Sequence, residues 1–376
     1  MAVEDYSRYF KIGEGTSACT YGSLNPKNLL IQIKREETAR NNSALIQRLG
    51  LVDINRKQEQ LIYPKNIIKN VPKNLKTEAC KLKGTGKNPL KMVEIPNGGK
   101  DLESLEIPSE DISSFFTGFV NIFEALGSLH KKKIVHLDVK PLNMVGKKES
   151  DGTYNLRVID FGLSLDIYMP NDFSIFYEYD KTGKFLAPVN YRYWSYDLRL
   201  LNGKLFNRLC SSNIDKDIEN FKKQSDIFSR FYILSFKEDL VKSVAKILST
   251  PKDAKEISVQ ILLKSDVFAL GVSLYEIYRR LTADNKVSNI YSGKVEGATR
   301  ELLHLVRLMC NPDVFTRLTL EQAKEKYIND VLPAIISAYS SDVKAGLGGG
   351  SRRRRKTTRR NNIKYVKAKK TRSSTK

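Results

Sequence analysis

The sequence predicts an α+β fold in which a small β-rich region is followed by a larger helical region. Up to about residue 96, apolar residues form short runs of strand length, separated by a glycine turn and by polar, lysine-rich stretches. After the Asn-Gly-Gly turn at 97–99, apolar residues recur at helical spacing instead. With 376 residues and a hydrophobic fraction of 41%, the chain is large enough for two lobes and too apolar to be disordered throughout.

The β-rich region, 9–96, is predicted from short apolar segments. The segment at 9–12 is followed by a Gly-x-Gly turn, and a polar connection with many lysines precedes the segment at 90–95. Strands are predicted at 9–12, 29–34, 61–63 and 90–95, and a helix at 36–51.

The helical region, 97–338, begins with seven apolar residues at helical spacing between Ile112 and Leu129. The Pro-Ser-Glu-Asp run just before them supplies helix-start signals. Further helices are predicted at 265–281, 302–310 and 320–339.

The four cysteines, Cys19, Cys80, Cys210 and Cys310, are far apart and form no C-x-x-C pair. Their spacing predicts neither a disulfide framework nor a zinc site, and three histidines are too few to suggest another metal centre. The sequence has no run of 18 apolar residues, and its first residues carry no secretory signal. We therefore expect an intracellular protein, cytoplasmic or nuclear, without a membrane partner.

The net charge of +22 is concentrated at the end of the chain. Residues 343–376 contain 14 lysines and arginines and no acid, so they carry +14 of the total. Because this segment contains a glycine-rich linker at 346–351 and has few apolar residues, we expect it to be disordered. The part from Arg352 to Lys376 suits a nuclear-import signal, a nucleic-acid-binding arm or a packaging contact with an acidic surface. A solubilising tail without a partner is the alternative.

Two runs in the helical region carry candidate catalytic groups: H-L-D-V-K-P-L-N at 136–143 and D-F-G at 160–162. Phosphoryl transfer needs a carboxylate that orients the acceptor hydroxyl, a cation near the moving phosphate, and oxygen ligands for magnesium. Asp138 and Lys140 supply the first two, and Asn143 and Asp160 supply the oxygen ligands. A strand-loop-strand hairpin would place all four around one cleft.

These runs resemble the catalytic loop and the magnesium motif of eukaryotic-type protein kinases. The resemblance implies a bilobal kinase fold, the cofactors ATP and Mg²⁺, and protein substrates. The Lys140-Pro141 pair resembles the catalytic loop of the serine/threonine class of protein kinases. Small-molecule kinases of related fold usually lack it.

The I-G-E-G-T-S-A run at 12–18 resembles the glycine-rich loop that covers the ATP phosphates. Ile12, Gly13 and Gly15 would contact ATP there, and Ala18 replaces the usual third glycine. Lys34 ends an apolar strand 21 residues after Gly13, where the family places the lysine that grips the α- and β-phosphates.

The acid that pairs with this lysine is left open among three residues. Glu37 is slightly favoured, because 46–49 could form later turns of the same helix. Asp53 and Glu59 are the alternatives.

The run at 92–99 resembles the hinge that binds adenine through its backbone. In this register, Glu94 and Ile95 belong to the ATP site, and the Glu94 carbonyl accepts from the adenine amino group. The N–H that normally donates back would fall on Pro96, which has none. Asp101 is equally suited to bind the ribose or to cap a helix.

Later motifs also resemble the family. Asp266 matches the aspartate that holds the backbone of the catalytic loop. Arg317 matches the arginine that pairs with the acid ending the activation segment, and Asp197 stands where that acid belongs. The resemblance thus extends over about residues 9–338.

Two departures from the family pattern bear on regulation. Leu137 replaces the arginine that usually binds a phosphate on the activation loop, so we expect activity without that phosphate. The interval from Asp197 to Asp266 is 69 residues, where the family uses about a dozen. We predict a helical insertion at about 203–262, because apolar residues between Phe236 and Leu248 recur at helical spacing.

The divergent motifs, the insertion and the basic tail together resemble the kinases of large DNA viruses, which would add the virion to the expected locations. Two other hypotheses remain open. One is a pseudokinase scaffold, which the four complete catalytic positions disfavour. The other is a nucleic-acid-binding protein built on a kinase fold.

Overall fold

The computed structural model describes most of the chain outside the insertion and the tail. The described residues are 9–14, 18–23, 29–36, 39–40, 43, 47, 61–62, 68–73, 75, 80–167, 191–198, 239, 242–243, 246, 254–283 and 292–339. The predicted tail and most of the predicted insertion lie outside them.

Five antiparallel strands form the N-terminal sheet, with the third strand at its centre. Their order is β1-β2-β3-β5-β4. The strands are β1 Tyr9–Glu14, β2 Ala18–Ser23, β3 Leu29–Arg35, β4 Lys69–Asn70 and β5 Leu90–Pro96. The predicted strands at 9–12, 29–34 and 90–95 are thereby confirmed.

The two faces of this sheet differ because side chains alternate along each strand. Ile31 and Ile33 on β3 lie on one face, in an apolar cluster that includes Tyr21 and Met92. Lys34 points to the opposite face and is nonetheless almost fully buried. The alternation therefore places a buried ammonium on the face of the sheet that does not carry this cluster.

Cys19 on β2 and Cys80 form a disulfide, with their Cα atoms 6.0 Å apart. The prediction that no disulfide forms is therefore wrong. The prediction depended on sequence spacing, whereas the fold brings β2 next to the segment before β5, and both sulfurs join the buried apolar cluster. The Glu14 carboxylate lies within 4.8 Å of them. Cys310 is buried, and its thiol donates to the Phe268 carbonyl at 3.5 Å.

The predicted segments at 61–63 and 36–51 have different outcomes. Leu61 forms only an isolated bridge to Val158, not a strand, and the Ile62 N–H donates to the Val158 carbonyl at 2.9 Å. In the predicted helix, every residue that the structure describes is helical: Glu36, Ala39, Arg40, Ser43 and Gln47.

Short strands in the C-terminal lobe surround the catalytic loop. β6, β8 and β9 form a three-stranded sheet, and β7 pairs with β10. Their bounds are β6 Lys100–Asp101, β7 Ile134–Val135, β8 Met144–Lys148, β9 Tyr154–Val158 and β10 Leu165–Asp166.

The described helices supply the main core of the C-terminal lobe. They are α1 Ile112–Gly118, α2 Val120–Lys131, α3 Ala254–Ala283, α4 Ser292–Met309, α5 Leu320–Lys326 and α6 Leu332–Tyr339. Aromatic rings of α1 and α2 pack on one another and on Tyr154, Tyr278 and Tyr327. The Tyr327 hydroxyl donates to the Phe116 carbonyl at 2.6 Å, so this buried polar group is satisfied.

Four helix predictions need corrected bounds. The helix predicted at 302–310 begins earlier, at Ser292, and ends at Met309. The segment 112–129 forms two helices that meet at Phe119. The helix predicted at 265–281 begins earlier, at Ala254, so the last residues assigned to the insertion belong to α3. The segment 320–339 contains a wide π turn at Tyr327–Val331, just before Pro333, which has no N–H to donate.

Two helical segments, Ser109–Lys131 and Glu256–Thr282, are long and apolar enough by composition to span a membrane. Of their most apolar windows, 56% and 72% are buried inside the protein. Apolar core helices of a globular domain pass the same test, and the apolar side chains of both segments belong to the core clusters.

Candidate active site

The H-L-D-V-K-P-L-N run connects β7 to β8. Both strands are paired, so the loop is held at its two ends. Its last residues, Pro141–Asn143, form one 3-10 turn with proline at the first position. Proline fits there because the first N–H groups of such a turn have no partner within the turn.

The Asp138 carboxylate lies at the centre of this loop and is only 7% exposed. Lys140 Nζ donates to both of its oxygens at 2.9 Å. Asn143 Nδ2 donates to Asp138 Oδ2 at 2.7 Å, and the Tyr191 hydroxyl donates to Oδ1. The structure thus brings together three of the four predicted catalytic and metal-binding residues.

Asp160 reaches the same place through the β8–β9 hairpin. Met144 lies opposite Val158 at the end of the hairpin, and the Ile159 N–H donates to the Asn143 carbonyl at 3.0 Å. Asp160 follows with φ at +62°, a left-handed conformation that aspartate tolerates better than most residues. Asn143 and Asp160 therefore flank one hairpin, as predicted, and the Ile159–Asn143 hydrogen bond brings the backbone before Asp160 to the catalytic loop.

Lys34 on β3 is 2% exposed. Burial lowers the pKa of its ammonium group, and the negative charge of Asp160 raises this pKa in turn. No carboxylate among the described residues lies within 4.0 Å of Nζ, and the candidate acids Glu37, Asp53 and Glu59 are outside them. The partner of Lys34 therefore stays a prediction.

The glycine-rich segment is described only at its two ends. Ile12 is half exposed, and Gly13 pairs with Thr20 just after an irregularity in the β1–β2 register. Gly15 lies outside the described residues. Ala18, at the position of the third glycine, is paired directly with Lys34 across β2 and β3. The strand that follows the turn is therefore in register with the predicted ATP lysine.

The predicted hinge residues Glu94 and Ile95 lie at the end of β5. The Glu94 side chain accepts from Lys69 Nζ at 2.6 Å, and Ile95 is buried opposite Leu30. Ile95 belongs to a small cluster with Val145 of β8, so apolar contacts connect the hinge with the C-terminal lobe.

Two further hinge residues have clear structural roles. A Cβ at Gly98 would lie 2.2 Å from Ile62 Cδ1 and 2.4 Å from Val145 Cγ2, so only glycine fits there. The Asp101 carboxylate accepts from the N–H groups of Glu103 and Ser104 at 3.1 and 2.8 Å. These bonds cap the turn at 102–104 and not a helix, and the ribose contact of Asp101 stays a prediction.

Asp266 on α3 accepts from the backbone N–H groups of His136 and Leu137 at 2.7 and 2.8 Å. This confirms its predicted contact with the catalytic loop. Leu137 has φ at +60°, which is costly for leucine, and the fully buried Asp266 helps to hold it there. His130 Nε2 also lies 3.0 Å from Asp266 Oδ2, a contact that the sequence did not predict.

Asp197 and Arg317 form a bidentate ion pair, with distances of 2.7 and 3.2 Å. Their side chains are 1% and 0% exposed, so the predicted buried pair is confirmed. Arg317 Nε also donates to the Asn311 carbonyl at 2.8 Å. The pair joins the segment at 191–198 to the helical core.

The protein kinase domain model matches residues 6–197, just over half of the chain. The chain belongs to the protein kinase family. The match ends at Asp197, where the long interval to Asp266 begins. The contacts of Asp266 and Arg317 show that kinase-like packing continues beyond the matched residues.

Two curated relatives match a short part of this kinase. The human serine/threonine-protein kinase DCLK3 is 32% identical over 69 residues, which are 18% of this chain and 10% of the relative. The mouse serine/threonine-protein kinase DCLK3 has the same identity over the same length, 8% of that relative. The matched segment thus spans a tenth or less of these relatives.

In this kinase Leu137 contributes an apolar side chain where the family usually has arginine. It packs in a buried cluster with Val135, Leu165, Trp194 and Ile261. Trp194 Nε1 also donates to the Leu137 carbonyl at 2.7 Å. The segment before Asp197 is therefore fixed to the catalytic loop by apolar packing and a neutral hydrogen bond.

Tyr191 is the functional residue that sequence reasoning missed. Burial first, and then the charge of Asp138, raise the pKa of its hydroxyl, which therefore stays protonated and donates. Tyr191 and Asp138 are 53 residues apart, so no short motif connects them. Four aromatic or basic residues in a row, 191–194, were the only signal.

The residues at the site fit magnesium and a nucleotide phosphate. The Asn143 amide and the Asp160 carboxylate offer oxygen ligands, which Mg²⁺ prefers. The ammonium of Lys34 is buried, and a buried charge needs a counterion of opposite sign, as a phosphate would supply. Lys34 and Asp160 lie on the two lobes, and they are close enough for the negative charge of Asp160 to raise the pKa of Lys34.

Proposed function

We propose that this kinase is catalytically active and transfers the γ-phosphoryl group of ATP to serine or threonine hydroxyls of proteins. The observation that carries the proposal is the joint placement of Asp138, Lys140 and Asn143, with Asp160 at the end of the adjoining hairpin. A pseudokinase scaffold has no need to retain all four groups and their hydrogen bonds.

Each residue would have a distinct part in the reaction. Asp138 accepts a hydrogen bond from the acceptor hydroxyl and takes its proton as transfer proceeds. Lys140 stabilises negative charge on the transferred group, and Lys34 binds phosphate oxygens from the other lobe. Asn143 and Asp160 would hold Mg²⁺, which when bound neutralises phosphate charge.

Two observations favour serine and threonine over other acceptors. Pro141 directly follows Lys140, and this pair resembles the catalytic loop of the serine/threonine class. The short matched relatives are named as serine/threonine-protein kinases. Phosphoamino-acid analysis of a labelled product tests this part separately.

The test is transfer of radiolabel from ATP to a generic protein substrate, by wild type and by Asp138→Asn. We expect a loss of about 100-fold or more in the variant, because a positioned general base contributes about 10²–10⁴. Nucleotide binding should be nearly unchanged. Asp151→Asn is the matched control, since Asp151 lies in the β8–β9 turn and binds only Thr153 among the described residues. Near-wild-type transfer by Asp138→Asn would refute the catalytic assignment.

We also propose that residues 352–376 bind an acidic partner, with nucleic acid as the first candidate. The support is their charge, since 343–376 carry 14 basic residues without one acid. Lysines and arginines that pair with phosphates release counterions, which gives salt-dependent binding with little sequence preference.

A further inference from the structure

The Asp138 carboxylate has no unused hydrogen-bonding position in this structure. An ionised carboxylate has about four lone-pair positions on its two oxygens. Lys140 uses one on each oxygen, Asn143 uses the second on Oδ2, and the Tyr191 hydroxyl uses the second on Oδ1. An acceptor hydroxyl therefore binds Asp138 only when one of these three residues gives up its contact.

Two of the three residues have another task in the proposed function. Lys140 would turn toward the transferred phosphate, and Asn143 would offer Mg²⁺ the oxygen of the amide whose nitrogen binds Asp138. Among the described residues, the Tyr191 hydroxyl has Asp138 as its hydrogen-bond partner. Tyr191 is therefore the one of the three residues with no task at the phosphate or Mg²⁺, and it can keep Oδ1 of the carboxylate oriented after Lys140 turns away.

The Tyr191 ring is held on several sides. Its centroid lies 5.5 Å from that of Tyr193 and 5.7 Å from that of Trp194, both in edge-on contact. Lys140 Nζ lies 5.7 Å from the same centroid. Because Trp194 is itself bonded to the Leu137 carbonyl, the tyrosine is fixed relative to the catalytic loop.

We propose that Tyr191 is a positioning residue for phosphoryl transfer, whose hydroxyl orients the Asp138 carboxylate during turnover. This inference depends on the proposed function, in which Asp138 is the catalytic carboxylate. A misdirected carboxylate slows the chemical step and leaves nucleotide binding intact, since Tyr191 belongs to the loop side of the site.

The test compares Tyr191→Phe with Tyr193→Phe. Each variant removes one half-buried or buried tyrosine hydroxyl from the same segment, but the Tyr193 hydroxyl donates to Glu276 at 2.7 Å and not to the active site. We expect kcat for peptide phosphorylation to fall on the order of 10-fold in Tyr191→Phe, the effect of losing one hydrogen bond to a charged group. KM for ATP should stay constant, and Tyr193→Phe should keep wild-type kcat.

Three results would overturn the proposal. A rise in activity in Tyr191→Phe would show that the hydroxyl blocks the acceptor site. A change confined to KM for the peptide would assign Tyr191 to substrate binding. Phosphate on Tyr191 of wild type after incubation with ATP, detected by mass spectrometry, would make it an acceptor.

A double-mutant cycle in thermal unfolding separates this proposal from the proposed function. Tyr191→Phe and Asp138→Ala, each of which removes one partner of the hydrogen bond, are measured singly and together, without nucleotide. If the two residues are bonded, their effects on stability are not additive. Should wild type transfer no phosphate, the proposed function fails and the cycle alone decides: coupling supports the Tyr191–Asp138 contact, and additivity overturns it.

Discussion

The buried ion pair between Asp197 and Arg317 gives the sharpest stability prediction. Replacing Arg317 with methionine removes the cation and retains much of the side-chain volume. The Asp197 carboxylate is then left at 1% exposure with neither of its two arginine hydrogen bonds. Removing one partner of such a pair costs about 3–5 kcal/mol, because the remaining charge is buried without compensation.

The predicted cost corresponds to a fall in Tm of roughly 6–20 °C, at about 2–4 °C per kcal/mol for a large domain. Differential scanning fluorimetry measures it directly. Lys324→Met is the matched control, because the Lys324–Glu124 pair has a similar distance of 3.1 Å but side chains 34% and 46% exposed. An exposed pair contributes about 1 kcal/mol or less.

The double variant Asp197→Asn/Arg317→Met removes both charges and should lose less stability than the sum of the two single variants. Additive losses, or a Tm of Arg317→Met equal to that of the Lys324→Met control, would refute the assignment of a buried, coupled pair. If Arg317→Met loses stability but the two substitutions are additive, the lost hydrogen bond from Arg317 to the Asn311 carbonyl would explain the loss.

Three further predictions concern other parts of the chain. Reduction of the Cys19–Cys80 disulfide should lower the stability of the N-terminal lobe by about 4 kcal/mol, the value of the chain-entropy model for a separation of 61 residues. The control is Cys19→Ser, whose Tm should not respond to reductant. An equal response of wild type and variant would contradict the bond. Magnesium-ATP should raise Tm by mass action, and Lys34→Ala should shrink that shift; an unchanged shift would place the ATP lysine elsewhere. Deleting residues 346–376 should leave peptide phosphorylation unchanged but reduce both nucleic-acid affinity and its salt dependence, and equal salt slopes in both chains would exclude the tail as the contact.

Sequence reasoning succeeded where the candidate catalytic residues lie close together in the sequence. Asp138, Lys140 and Asn143 lie within six residues, and one hairpin brings Asp160 to them, so spacing alone predicted their proximity. Asp266 and Arg317 were found differently, through resemblance to later motifs of the family. Their contacts join residues more than 100 positions apart, which spacing cannot predict.

Two of the misses share a physical cause. The Cys19–Cys80 bond and the Tyr191–Asp138 contact depend on how strands and loops meet in three dimensions. The early start of α3 was missed for another reason. Ile257, Ile261 and Leu262 have helical spacing, but the pattern does not say that they continue the helix of Asp266 and pack against Trp194.

The packing around Leu137 leads to the prediction on regulation. A kinase that depends on an activation-loop phosphate needs a cation beside the catalytic aspartate to bind it. Here that position is filled by Leu137, buried among Val135, Leu165 and Trp194, where a phosphate would lose its water without gaining a cation. Apolar packing therefore fixes residues 191–198, the described end of the activation segment, without a phosphate.

Phosphatase-treated enzyme should consequently begin transfer without a lag, at the rate of untreated enzyme, in a continuous peptide assay. Leu137→Arg is the informative variant. It places a charge in the apolar cluster. We therefore expect it to lower both Tm and activity, because it disrupts apolar packing that a bound phosphate cannot replace. If treated wild type instead shows a lag that prior incubation with ATP removes, a basic residue other than position 137 binds an activating phosphate, and the apolar cluster is not what holds the segment in its active arrangement.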